Sequence, residues 1–376
     1  MTENIAIVHE WLTTFGGSEA VVAAWLENWK SAPVHTLLFD SEGECKDFSD
    51  GREVKTSFIQ KLPRATKLYR SYLPFMPLAI EQFDLGEYEI ILSSSHAVAK
   101  GVLVNSDQLH ITYVHTPIRY AWSLYFQYMN DGFKNPISAG IARVILHYIR
   151  LWDTLSANRV DVFLANSQNV ANRIWRTYRR ESQVLFPPVN VNQFEPANKR
   201  EDYYVTLSRL VPYKRVDLIV KAFTKLGLPL IVLGDGPQAE YLKEISGENV
   251  TFMGYQSNET VANYLNRAKA FVFAAEEDFG ITPVEAQAAG CPVIAYGKGG
   301  ALETVIDGET GMFFKEQTPD SLAMAVEEFE KTGKKFEVKK LRYNADRFSK
   351  ERFKREMENI VSQEFENFKQ GKFRKN

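Results

Sequence analysis

Short apolar runs alternate with amphipathic stretches from one end of the chain to the other. In the first half the runs fall at residues 5–8, 34–38, 90–92, 111–114 and 162–165, and in the second half at 203–207, 230–233, 250–253, 270–274 and 293–295. Runs this short, closed by Gly, Ser or Asp, suit parallel strands buried on both faces. The stretches between them suit crossover helices. The pattern predicts an α/β fold in which a doubly wound parallel sheet is built twice. The break falls at Phe186-Pro187-Pro188-Val189-Asn190, where two prolines continue neither helix nor strand, and the polar stretch 195–202 follows. A hinge is expected at 187–200, with a first domain over 1–190 and a second over 200–348. In the last segment, 349–376, Phe353, Met357, Ile360, Val361 and Phe365 recur at close to helical spacing, and the basic tail 369–376 is expected to fray.

The length of 376 residues agrees with two domains rather than one. A formal net charge of −2 gives no global pull toward nucleic acid or an anionic membrane, so any such attraction must be local. No basic face dominates, and nucleic acid is not expected as a partner. The two cysteines, Cys45 and Cys291, form neither a CxxC pair nor a disulfide framework, which fits a reducing, cytoplasmic setting. Residues 5–8 are apolar without a preceding basic region, so no signal peptide is expected. No apolar run reaches the ~18 residues of a spanning helix. The expectation is a soluble protein, or one that lies on a membrane without crossing it.

Candidate chemistry concentrates where strands end. At Ala274-Ala275-Glu276-Glu277-Asp278-Phe279-Gly280-Ile281-Thr282-Pro283-Val284-Glu285 a strand gives way to a glycine turn and a helix start, with Thr282 suited to N-cap and Pro283 to the first helical position. Free amides and the positive dipole end favour a phosphate there. Glu285 suits a pair of ribose hydroxyls, or equally a capping box with Thr282. Glu277 suits sugar hydroxyls, or a solvated loop position. After the run 203–207 come Arg209 and Lys214, five apart across a turn: a bidentate phosphate ligand and a point charge, or a solvated helix start. Gly234-Asp235-Gly236 and Gly299-Gly300 offer turns where backbone can approach a ligand closely. In the first half, Phe15-Gly16-Gly17-Ser18-Glu19 opens the helix expected over 18–29, but no GxGxxG dinucleotide fingerprint is present.

Together these blocks resemble the GT-B family 4 of retaining glycosyltransferases. The resemblance rests on Glu277 and Glu285 spaced as Glu-x7-Glu around Phe279-Gly280, on the pair Arg209 and Lys214, on Gly16-Gly17-Ser18-Glu19, and on the tract 289–295 with the turns 300–304 and 308–311. It spans essentially the whole chain and is densest over 203–315. It implies two Rossmann-like domains with an interdomain cleft, the first on the acceptor side and the second binding a nucleotide-sugar, and a C-terminal helix returning to the first. It implies that Arg209 and Lys214 hold the diphosphate, Glu285 the ribose, and Glu277 the transferred sugar. Asp278, Phe279, Gly280 and Ile281 line the donor, and the backbone near Tyr255 meets the base. Gly16 and Gly17 let donor phosphate and sugar approach backbone, and His115 contacts the sugar, though by itself it reads equally as a strand-end structural histidine. Neither a cofactor nor a metal is implied. Asp278 departs from the family's frequent glycine.

The segment Tyr113-Val114-His115-Thr116-Pro117-Ile118-Arg119-Tyr120-Ala121-Trp122 and the opening His9-Glu10-Trp11-Leu12 resemble a subgroup that builds bacterial O-antigen and other surface polysaccharides, often from GDP-mannose. The implied acceptor is a glycan, including one linked to polyprenyl diphosphate. Residues 58–78 carry Lys61, Arg64, Lys67 and Arg70 among Tyr69, Tyr72, Leu73, Phe75 and Met76. They suit a peripheral contact with anionic lipid at the inner face of the plasma membrane, or partly buried helices with solvated cations. Residues 137–152, with Arg143 and Arg150, have a similar mix. Competing assignments are a UDP-glucose or UDP-N-acetylglucosamine donor, a nucleotide-sugar epimerase, and a non-catalytic nucleotide-sugar-binding subunit.

Overall fold

The structure, a computed structural model, describes residues 4–372 apart from 134, 198 and 333–335. The end of the basic tail, 373–376, lies outside the described residues. The chain divides into two compact units, one of Met1–Pro188 with Phe353–Asn376 and one of Val189–Arg352.

The first unit is a parallel sheet of β1 (Ile5–Leu12), β2 (Val34–Phe39), β3 (Val54–Thr56), β4 (Ile90–Ser95), β5 (Leu109–Val114), β6 (Val162–Ala165) and β7 (Gln183–Val184), in the order β3-β2-β1-β4-β5-β6-β7. The second is a parallel sheet of β8 (Tyr204–Leu207), β9 (Leu230–Leu233), β10 (Val250–Gly254), β11 (Ala270–Phe273), β12 (Val293–Tyr296) and β13 (Gly311–Phe314), in the order β10-β9-β8-β11-β12-β13. Each sheet thus starts in its middle, runs to one edge, and returns to build the other, the doubly wound order. Every apolar run expected to be a strand overlaps one. The strands β3, β7 and β13 were not expected. All three are edge strands with only part of their length covered, so they carry no continuous apolar signature.

Alternation along the central strands explains the double burial. Ile5, Ile7, Ile90, Leu92, Ile111 and Tyr113 face Val21 and Trp25 of the helix Gly17–Asn28, and Phe353, Met357 and Val361 of the helix Lys350–Lys369. Ala6, Val8 and Ile91 face the other way, onto Ile59, Tyr69, Met76 and Ile80. In the second unit Tyr204, Val232, Val272, Ile294 and Phe314 pack against the helices Val216–Leu226 and Pro319–Thr332.

The helix Lys350–Lys369 covers one face of the first sheet. Phe353 meets the edge of Tyr113 at 5.8 Å between ring centroids, and Asn28 donates to the Lys354 carbonyl at 2.8 Å. Truncating a fully buried phenylalanine costs about 3–5 kcal/mol. Phe353→Ala should therefore speed amide hydrogen exchange in β1 and β5 while leaving β8 and β11 unchanged, as read by exchange mass spectrometry.

Candidate functional site

In each sheet the strand order reverses between two neighbours, β1 and β4 in the first and β8 and β11 in the second. Loops leaving the carboxyl ends of such a pair diverge to opposite faces and leave a crevice, the usual ligand position in open α/β sheets. Of the predicted site residues, Gly16 and Gly17 come after β1, Arg209 and Lys214 after β8, and Glu277, Asp278, Phe279 and Gly280 after β11, with Ile281 and Glu285 on the helix beyond; His115 follows β5, and Tyr255 the edge strand β10.

In the second unit Arg209 lies two residues beyond β8. It is exposed, and its guanidinium makes no hydrogen bond among the described residues. Lys214 ends the short turn Pro212–Lys214 and is ion-paired with Glu277 on the loop beyond β11, each side chain 18% exposed. That pair joins the loops of the two strands flanking the reversal. Asp278 is half-buried beside it. The Phe279 ring packs edge-on against Phe348 at 5.3 Å, so its backbone is what remains for a ligand. Tyr255 follows β10 and is 79% exposed.

Two glycine turns set these loops by bringing backbone onto backbone. Leu210 N–H donates to the Asp235 carbonyl at 2.9 Å, and a Cβ on Gly234, at φ +118°, would stand 1.9 Å from the Ser208 oxygen. Gly300 N–H donates to the Glu277 carbonyl at 2.9 Å, and a Cβ there would stand 2.2 Å from the Phe279 oxygen. The sequence suggested ligand cushions at both turns; the structure shows supports for the loops that bear Arg209 and Glu277.

The helix Ile281–Ala288 begins earlier than the sequence suggested. Gly280, at φ +86°, is its N-cap, in place of Thr282. A glycine in the left-handed region turns the chain straight into the helix, and Pro283 is tolerated because a first-turn amide has no intrahelical partner anyway. Glu285 then falls at the fifth helical position, outside any capping box. Its carboxyl makes no hydrogen bond among the described residues, and burial pushes that carboxyl up to about 7 although one edge of the residue stays accessible.

In the first unit Gly16 and Gly17 lead into the helix Gly17–Asn28. Gly16 N–H donates to Glu19 Oε2 at 3.0 Å. A hydrogen-bond chain runs from there across the strand ends. His9 Nε2 lies 3.2 Å from Glu19 Oε1, His9 Nδ1 3.2 Å from Ser94 Oγ, and Ser94 Oγ 2.9 Å from His115 Nε2. Burial, reinforced by His96 and His9, holds His115 down to about 3, so its imidazole is neutral near neutral pH. Glu19 is lowered to about 2, because bonding to His9 overrides its burial.

Sequence reasoning missed Glu10 and His96. Glu10 Oε1 accepts from the backbone N–H groups of His96, Ala97 and Ala99 at 3.0, 2.9 and 3.0 Å, tying the loop after β4 to the end of β1. Its other oxygen lies 3.1 Å from His96 Nδ1. Burial alone would raise the Glu10 carboxyl, but His96 outweighs it and holds the group well below the usual range; Glu10 in turn raises His96 against its own burial. The available signal was one acid inside the apolar run of β1, since a buried charge needs partners. Among the described residues no group of three or more His, Cys, Asp or Glu is arranged to hold a metal ion.

Residues 190–348 match the family model described as "Glycosyl transferases group 1". Among curated relatives, the GDP-mannose-dependent alpha-(1-6)-phosphatidylinositol monomannoside mannosyltransferase of Mycobacterium tuberculosis is 32% identical over 176 residues, 39% of this chain and 46% of that one. The D-inositol 3-phosphate glycosyltransferase of Streptomyces avermitilis is 28% identical over 205 residues, 45% of this chain and 44% of that one. The chain thus spans about half the length of the curated relatives it matches. Sucrose-phosphate synthase of Thermosynechococcus elongatus superposes with a TM-score of 0.71 at 19% identity, over 96% of this chain and 99% of that one. HepE of Anabaena, solved with UDP, superposes with a TM-score of 0.68 at 18% identity, over 95% and 100%. The fold is of the GT-B type.

Glu285 gives a test of this geometry. Its pKa is higher folded than unfolded, so its contribution to stability is full below about 4.5 and is lost as pH rises through about 7. The unfolding midpoint of the second unit should fall over that range in the wild type, and Glu285→Gln should flatten that part of the profile in thermal scans across pH.

Proposed function

We propose that this protein is a retaining glycosyltransferase that moves a hexose, mannose from GDP-mannose, to a glycan acceptor in bacterial surface polysaccharide synthesis. The observation that carries the reading is the exposed Arg209 guanidinium on the loop after β8, with the Lys214–Glu277 pair joining that loop to the one after β11. Arg209 grips diphosphate oxygens through two parallel bonds, and Lys214 adds a point charge. The first-turn amides of the helix Ile281–Ala288 face the same charge. Glu285 takes the ribose hydroxyls. Glu277, held by Lys214, takes hydroxyls of the transferred sugar. In the first unit, Gly16 and Gly17 admit donor phosphate, and neutral His115 serves the sugar.

The sugar–phosphate bond breaks as the acceptor oxygen attacks from the same face. The acceptor proton passes to the departing diphosphate oxygen, and the new glycosidic bond keeps the donor's configuration. The cations and helix amides do the work of stabilising the leaving charge, without a metal. The mannosyl assignment draws support from relatives named as GDP-mannose-dependent. Structural neighbours solved with UDP and UDP-glucose favour the second reading, a UDP-sugar donor. For a polyprenyl-diphosphate-linked acceptor at the inner face of the plasma membrane, the exposed Lys61, Arg64, Lys67 and Arg70 supply the basic surface.

The test is turnover of GDP-mannose, UDP-glucose and UDP-N-acetylglucosamine in EDTA with pooled polyprenyl-linked acceptors, product configuration being read by NMR. One donor should turn over with retention. Arg209→Ala and Lys214→Ala should each lower kcat by about 10²–10³-fold, the usual cost of a transition-state charge contact. Inversion, or activity only with divalent metal, would overturn the mechanism.

A further inference from the structure

The helix Pro136–Ser156 is apolar on two faces. One face, Ala139, Ala142, Leu146, Ile149 and Trp152, is buried in the first unit. The other carries Ile137, Ile141, Val144, Tyr148, Leu151 and Leu155, all exposed, from 46% at Tyr148 to 73% at Ile137. Single exposed hydrophobics are ordinary, but a continuous stripe along a whole helix marks a surface that something covers.

The geometry points to a lipid surface bearing anionic headgroups as the occupant, with this helix lying flat in its interface. Three observations choose it. The first is charge. Exposed Arg143 and His147 flank the stripe, and the one acid on the helix, Asp153, is fully buried, accepting from Trp122 Nε1 at 2.7 Å and Tyr178 at 2.9 Å and paired with Lys100. A second copy docked along the stripe would bring the Arg143 of each copy to the seam with no exposed acid on either helix to answer it, whereas paired helices normally place opposite charges beside such a seam.

The second observation is the neighbour. Leu73 packs in the same cluster as Ala142 and Leu146, which seats the segment 58–78 beside this helix. From residue 54 to residue 80 that segment contains no acid. It exposes Lys61, Arg64, Lys67 and Arg70, and also Leu68, Phe75 and Leu78 at 43%, 51% and 52%. Tyr69 and Met76, which the sequence suggested as part of the same surface, are instead buried in the core.

The third is orientation. No helix among the described residues is long and apolar enough to cross a membrane, and the inner face of this one is committed to its own unit. A helix so held can only lie in the interface, apolar side toward the acyl chains and cations at headgroup level. The inference does not need the transfer reading, since it concerns where the protein sits.

The experiment is co-flotation of the full chain with vesicles of phosphatidylcholine and phosphatidylglycerol, or of phosphatidylcholine alone. Wild type should float with the anionic vesicles and release at high salt. The triple variant Ile141→Gln, Val144→Gln, Leu151→Gln should lose binding by about tenfold or more, given the apolar area removed. Met324→Gln, at an exposed position in the second unit, should bind as wild type does. The triple variant's circular dichroism and its turnover with a water-soluble acceptor should be unchanged, which separates failure of docking from failure of catalysis. Absence of wild-type flotation, equal flotation of the triple variant, or a concentration-dependent dimer in light scattering that the triple variant abolishes would overturn the proposal.

Discussion

A parallel strand covered on both faces has no side-chain position left for chemistry. Along β1, Ile5 and Ile7 go to one layer and Ala6 and Val8 to the other. Polar function is thereby pushed to the strand ends, where the pleat stops and the loops begin. His9, Glu10, Ser94, Ser95 and His96 crowd the ends of β1 and β4 and the loop beyond, and Arg209 and Glu277 follow the ends of β8 and β11. The placement of these groups follows from this exclusion, Glu285 on its helix apart, and the reversal of strand order decides which ends become a crevice rather than a flat rim.

Loops at such ends must be held without help from the sheet. The second unit does this with close main-chain approach, at Gly234 against Ser208 and at Gly300 against Phe279. The first unit does it with a buried carboxylate, Glu10, whose single oxygen gathers three backbone amides. One device spends side-chain volume and the other spends desolvation. The first device seats the loop that bears Arg209, and the second the loop that bears His96, whose neighbour Ser95 accepts the His115 backbone N–H at 2.9 Å.

Much of this was legible in the residues. Ten apolar runs announced ten strands, because a strand buried on both faces needs an unbroken apolar tract. Phe353, Met357, Ile360, Val361 and Phe365 announced a helix with one sticky side. The edge strand Gly311–Phe314 was hidden because its first residue also reads as the end of a turn. The helix start at Ile281 was misplaced because Thr282-Pro283 imitates a cap, while the preceding glycine's left-handed backbone is invisible in letters. Glu10 was passed over because a lone acid in a strand has no partner nearby in sequence; its amides come from more than eighty residues away. Nor do letters tell which of two apolar faces of the helix Pro136–Ser156 is covered, since periodicity reports spacing and not neighbours.

The first unit is assembled from two separated stretches of chain, with the whole of Val189–Arg352 threaded between them. During synthesis the apolar face formed by Trp25 and Tyr113 emerges long before Phe353 and Met357, which cover it. The second unit, whose strands and helices are contiguous in the chain, can mature first. The order of translation therefore runs against the order of completion: the half made earliest is finished last, and until then its uncovered sheet face is the part of the nascent protein most in need of a chaperone.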